Sequence, residues 1–208
     1  RAAADRDVTL IGDNDLTSLA MILVGGFRSV QVLEADRSVV EFLVKAVAKL
    51  GTELDIGLDI GRVRIREFDA RKPLPGDLTD SADVVMCDPS RRLYRSFFAR
   101  ANELLRADGV FYTFVNPSHS PETGQFIFQR DIIAAGWVLT DSIPVINESP
   151  VRAGAVLPEQ RALYPVPTDP DDAISFTESL LRFVRGPGRE AEEEIRRTIH
   201  DREGKTNT

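Results

Sequence analysis

The sequence of 208 residues predicts an α/β fold: a doubly wound, Rossmann-like sheet whose strands are mainly parallel. Three observations point there. Short apolar runs alternate with segments of helical period along most of the chain. The intervals between runs are long enough for the crossover helix that parallel neighbours require. Glycines punctuate the alternation, at Gly25-Gly26, Gly51, Gly109 and Gly136.

Val8 to Gly12 reads as the first buried strand, and Leu16 to Val24 as a helix stopped by Gly25-Gly26. Ser29 to Glu34 is the second strand. Ser38-Val39-Val40-Glu41 has the form of a capping box, which predicts a helix from Ser38 to about Leu50. Val63 to Phe68 and Ala82 to Cys87 are strands three and four, followed by a helix from about Leu93 to Leu105. Val110 to Val115 is the fifth strand, Gln125 to Ala135 a helix, and Trp137 to Val145 strand-like. Ile174 to Val184 is expected to add an antiparallel strand at the edge. Five prolines between residues 150 and 172 predict an irregular connection or lid. Residues 1–185 therefore read as one domain, and residues 186–208 as a charged terminal helix and tail.

With 42% hydrophobic and 28% charged residues the composition is that of a globular protein, which excludes collagen-like, disordered and disulfide-scaffold classes. The 26 Lys and Arg against 33 Asp and Glu leave a net charge of −7. That balance disfavours a nucleic-acid partner and suits a small cationic substrate. The one cysteine, Cys87, has no partner for an internal disulfide. No apolar run approaches the ~20 residues that span a bilayer, and no signal-like segment opens the chain, so no membrane partner and a cytoplasmic location are expected. The sequence begins Arg1-Ala-Ala-Ala rather than with Met, as a fragment or a processed chain would.

In open α/β sheets ligands bind beyond the carboxyl ends of the strands. Those ends are acidic here: Gly12-Asp13-Asn14-Asp15 after strand one, Glu34 and Asp36 after strand two, Asp69 after strand three, Asp88-Pro89 after strand four. Each has an ordinary alternative, since Asp15 could cap a helix, Asp36 form an Asx turn and Asp69 sit in a solvated loop. Four acidic strand ends together are harder to explain without a ligand that offers donors or positive charge. Glu34 is the candidate for both hydroxyls of a ribose. The first turn has neither the Gly-x-Gly-x-x-Gly fingerprint nor a phosphate loop, so the expected ligand is a nucleoside without phosphates. An S-adenosyl sulfonium compound fits, with Asp69 accepting from the adenine amine.

The same residues resemble a known family, the branched-chain polyamine synthases or N4-bis(aminopropyl)spermidine synthases, whose catalytic domain has a class I methyltransferase-like fold. The resemblance lies in Gly12-Asp13-Asn14-Asp15-Leu16-Thr17-Ser18, Leu33-Glu34-Ala35-Asp36, Phe68-Asp69-Ala70-Arg71-Lys72-Pro73-Leu74-Pro75, Asp83 to Pro89, and Thr140-Asp141-Ser142-Ile143 with Asn147-Glu148. It implies aminopropyl transfer from decarboxylated S-adenosylmethionine to a polyamine, with release of 5′-methylthioadenosine and without a metal. It also implies donor binding at Gly12, Asp13, Asp15, Glu34, Asp36, Asp69 and Ala70, acceptor contacts at Asp15, Pro89 and Glu148, and Asp88 acting on the attacking amine. A carboxylate beside the sulfonium can accept the amine's proton and hold its nitrogen in line. Two features depart from the family. Ser90, followed by Arg91-Arg92, stands where the second proline of its Asp-Pro-Pro motif is expected, and its N-terminal winged-helix-like domain is absent from this sequence. The Arg pair either opens an exposed helix or meets an anionic or bulky acceptor.

Other candidates are weaker. His119 reads as a solvent-facing loop residue, His200 as inert, Cys87 as a small buried hydrophobe, and Phe111-Tyr112-Thr113-Phe114 as strand core. No Cys/His cluster has metal-ligand spacing. Three functions remain open: an aminopropyltransferase, expected as a homodimer; an S-adenosylmethionine-dependent methyltransferase; and a non-catalytic nucleoside-binding relative.

Overall fold

The computed structural model describes residues 5–53, 60–89, 93–115, 122–152, 169 and 173–186. Five parallel strands run β3 (Val63–Glu67), β2 (Ser29–Glu34), β1 (Asp7–Ile11), β4 (Ala82–Cys87) and β5 (Leu105–Val115) across the sheet. Two more follow in the order β7 (Ala173–Arg185) then β6 (Trp137–Arg152), β7 lying antiparallel to both β5 and β6. Successive strands leave β1 in one direction for β2 and β3 and in the other for β4 and β5. The gap between the carboxyl ends of β1 and β4 is therefore the topological switch point, where α/β sheets bind ligands.

Side chains alternate across the sheet, and each face buries its own apolar set. On one face Val8, Leu10, Val30, Val32 and Val84 pack against Ile22 of α1 (Thr17–Val24) and Leu43 and Val47 of α2 (Arg37–Glu53). On the other, Ile11, Leu33, Val85, Cys87, Phe111 and Phe183 meet Phe98, Ala101 and Leu104 of α3 (Tyr94–Leu104) and Ile132 of α4 (Glu122–Ala134). Phe111 is central there, edge-on to Phe98 at 4.9 Å between ring centroids and tilted against Trp137 at 5.5 Å. No helix among the described residues is long and apolar enough to cross a membrane.

Several elements differ from expectation. β7 is antiparallel, as expected, but it lies inside the sheet. Its Phe183 is buried in the core, and its backbone pairs with a neighbour on each side, β5 and β6. The edge is β6, which continues past Val145 to Arg152 and takes in Pro150, opposite Ser175. Pro144 and Pro150 have no N–H to give a second neighbour, and Val138, Leu139 and Ile143 are exposed, as an edge strand allows. α2 begins at Arg37 rather than at a Ser38 box, because Asp36 caps it and Glu41 pairs with Arg37 one turn away, at 3.0 Å. α1 begins after Leu16, whose φ of 61° is left-handed and cannot continue a helix. β5 starts at Leu105; the register steps from Ala82↔Leu105 to Val84↔Val110, so residues 106–109 bulge out of the ladder. The proline-rich stretch from 153 to 168 and the terminal helix from Arg189 lie outside the described residues.

Candidate active site

The first strand hands its chain to the switch point through Gly12, at φ 76°. A side chain there would be strained whatever the space, and its Cβ would stand 3.4 Å from the Phe97 ring. The Gly12 N–H donates to the Leu33 carbonyl (2.8 Å), which ties the turn to the end of β2. Glu34 then reaches across: one carboxylate oxygen accepts the Asp13 N–H and the other the Asp36 N–H, both at 2.7 Å. Glu34 is buried, and its carbonyl takes the Phe68 N–H of the following loop. A carboxylate has acceptor positions beyond these two, so Glu34 keeps capacity for hydroxyl donors.

The other carboxylates are engaged close to home. Asp13 accepts the Ser18 N–H at 2.9 Å on one oxygen and the Ser18 hydroxyl on the other. Burial pushes its carboxyl above the ordinary range despite those bonds, and the neighbouring charges of Asp15 and Glu34 push the same way. Asp15, exposed, accepts the Thr17 hydroxyl at 2.7 Å and the Thr17 N–H at 3.3 Å. Asp36 accepts the Ser38 hydroxyl and N–H, and these bonds lower its carboxyl. Asp69 is gripped by the Arg71 guanidinium in a fork at 2.7–3.0 Å, with the Arg71 N–H on the same carboxylate, and is held down to about 2. Ala70 beside it is buried.

A shallow cleft, open to solvent, lies at the switch point and is lined, among the described residues, by Leu10, Gly12, Asn14, Asp15, Thr17, Met86, Cys87, Asp88 and Phe114. Asp15 and Asp88 therefore share one cleft. Cys87 is on its floor, with its thiol toward the Thr113 hydroxyl at 3.6 Å; burial pushes that thiol up, which suits a packed residue and not a nucleophile. Glu34, Asp36, Asp69 and Ala70 do not line this cleft; Glu34 joins it through the Asp13 N–H and the turn. α3, which follows the Asp88 segment, is tied to α4 where Asp131 accepts the Tyr94 hydroxyl at 2.7 Å and Arg95 at 2.8 Å.

Sequence reasoning passed over Asn14, Thr17, Met86 and Phe114. The sequence places Phe114 in the strand core, but strand alternation puts Phe111 and Thr113 into the buried face and leaves Phe114 half-buried at the strand's end, lining the cleft. Its place as the last aromatic of β5 was the available signal. Ser90, Arg91, Arg92, His119 and His200 lie outside the described residues, and Glu148 is placed only as a β6 residue opposite Thr177.

Comparison with known proteins gives the family. The model of the branched-chain polyamine synthase A C-terminal domain matches residues 3–206. An N(4)-bis(aminopropyl)spermidine synthase of Thermococcus kodakarensis is 29% identical over 148 residues, covering 69% of this chain and 40% of the relative. That of Thermus thermophilus is 30% identical over 142 residues, covering 65% and 38%. The chain thus spans about two fifths of the length of these curated relatives. Among solved structures, the T. thermophilus branched-chain polyamine synthase in complex with N4-aminopropylspermidine and 5′-methylthioadenosine superposes with a TM-score of 0.68 at 23% identity, covering 88% of this chain and 52% of that one. An S-adenosylmethionine-dependent O-methyltransferase of Thermotoga maritima superposes at 0.56 and 13% identity, covering 90% and 62%. These likenesses establish the class I methyltransferase-like fold, and the match over residues 3–206 places the chain in the branched-chain polyamine synthase C-terminal domain family.

Proposed function

We propose that the chain catalyses aminopropyl transfer from decarboxylated S-adenosylmethionine to a polyamine nitrogen, releasing 5′-methylthioadenosine. The observation that carries this reading is the cleft at the switch point, which the carboxylates of Asp15 and Asp88 share. A sulfonium donor and a polyamine acceptor both bring positive charge to such a site. The acceptor's amine lone pair attacks the propyl carbon bound to sulfur. The C–N bond forms as the C–S bond breaks, and the bonding pair goes to sulfur, which leaves as the neutral thioether. The Asp88 carboxylate takes the amine's proton and holds the nitrogen in line. Glu34 accepts from the ribose hydroxyls, with Asp36, Asp69 and Ala70 toward the adenine, and Pro89 and Glu148 belong to the acceptor side. The activity for which the relatives are named and the ligands in the T. thermophilus complex support the same reading.

The test is an assay of the purified chain with decarboxylated S-adenosylmethionine and spermidine, products read by mass spectrometry. Asp88→Asn should lower turnover by about 100-fold while leaving 5′-methylthioadenosine affinity nearly intact. Methylated product in place of aminopropylated product, or full turnover in Asp88→Asn, overturns the assignment.

A further inference from the structure

Asp13 differs from its neighbours in the first turn in where its polar atoms go. It is 1% exposed, whereas Asn14 and Asp15 are exposed and line the cleft. Its N–H donates to Glu34, its carbonyl accepts the Leu16 N–H at 3.1 Å, and its carboxylate accepts both the N–H and the hydroxyl of Ser18, which is itself fully buried. Leu16 lies between those partners in the left-handed region, at φ 61°. A residue with a β carbon stays there only when the surroundings over-determine it. The bonds from Asp13 to Leu16 and Ser18 close the chain on both sides of that residue and do so here.

We propose that Asp13 is a positioning residue: through Ser18 it closes the turn that holds Leu16 left-handed, and so sets Asn14 and Asp15 on the wall of the cleft that Asp88 shares, without touching a ligand itself. This role rests on the reading of that cleft as the transfer site. It separates two aspartates two positions apart: Asp15 faces substrate, and Asp13 faces the protein.

A double-mutant cycle with Asp13→Asn, Ser18→Ala and the pair tests it, with kcat, KM and the thermal midpoint measured in the transfer assay. Each single variant should lower kcat/KM by about tenfold, mainly through a raised KM, and the double variant should be no worse than the worse single by more than about twofold. Losses that multiply would show that Asp13 makes a contact of its own and overturn the proposal. So would losses in kcat alone that follow the folded fraction, because unfolded protein leaves KM unchanged. Should Asp13→Asn not fold, Ser18→Ala keeps the carboxylate and must still raise KM; wild-type behaviour overturns the role. If the wild type transfers nothing, the assignment of the reaction fails separately. The clasp is then read by amide exchange, where Asp13→Asn should speed exchange at the Leu16 N–H by about tenfold and unchanged exchange overturns it.

Discussion

Glu34 shows how much one side chain organises at this site. It ends β2, receives a backbone N–H from the turn after β1 and another from the start of the α2 loop, and remains buried. A lone buried carboxylate would be costly, and the two short bonds offset that cost while fixing where the group stands. Replacing Glu34 with Ala should weaken 5′-methylthioadenosine binding by at least about 1.5 kcal/mol, the scale of hydrogen bonds to a charged group. Calorimetry reads this directly, and unchanged affinity removes Glu34 from the ribose site. Glu34→Gln, which keeps one acceptor oxygen, separates the ligand bond from support of the turn, because only the former should vary with the nucleoside's hydroxyls.

At the scale of elements, the end of the sheet opposite the cleft is held by charge. Asp7 of β1 and Asp83 of β4 both bond Arg28, which precedes β2, and Arg106 near the start of β5, at 2.5–3.0 Å, and the Ser29 hydroxyl adds to Asp7. The Arg28 guanidinium holds the Asp7 carboxyl well below the usual carboxylate range, although burial opposes it. For Asp83 burial raises the carboxyl, but the Asp7 N–H and the Arg106 guanidinium outweigh it and the net direction is down. A carboxyl depressed by folding contributes stability that is complete above its unfolded value, roughly pH 4, and is lost as pH falls toward the folded value. Urea midpoints should therefore drop steeply between about pH 5 and pH 2, and Asp7→Asn should flatten that slope while lowering stability at neutral pH. An equal slope in the variant would place the acid sensitivity elsewhere, at Asp69 or Asp131, whose carboxyls Arg71 and Tyr94 also lower.

For the whole molecule, the proposed reaction makes the charges at the strand ends a test of the donor. Decarboxylated S-adenosylmethionine ends in an ammonium, whereas the intact donor adds a carboxylate beside it. The cleft presents the carboxylates of Asp15 and Asp88, and Asp13 and Glu34 stand just behind the turn. A like-charge contact near 4 Å costs on the order of 1 kcal/mol even at the dielectric of water. The decarboxylated donor should therefore bind at least about fivefold more tightly than S-adenosylmethionine. A titration of both donors on the same preparation decides this, and tighter binding of the intact donor would favour methyl transfer on the same fold.

The alternation of apolar runs and helical periods determined the α/β class, five parallel strands and the acidic strand ends, because burial on two faces of a sheet writes its period directly into the chain. The prolines between 150 and 172 read as an irregular connection, whereas Pro150 lies in the edge strand β6, so the edge position of that strand was not legible from the sequence. That β7 fills the place beside β5 was decided in three dimensions, since two strands with similar apolar content compete for one position and only packing around Phe111 and Phe183 selects between them. The carboxylates divide in the same way. Asp13, Asp36 and Asp69 take partners two to five residues away, so their engagement was written locally in Ser18, Ser38 and Arg71. The bond from the Asp13 N–H to Glu34, and the meeting of Asp15, Asp88 and Phe114 at one cleft, depend on β1 lying between β2 and β4. A period reports which side of a strand is buried and carries no information on which strand lies next to it, so only the tertiary structure could bring those residues together.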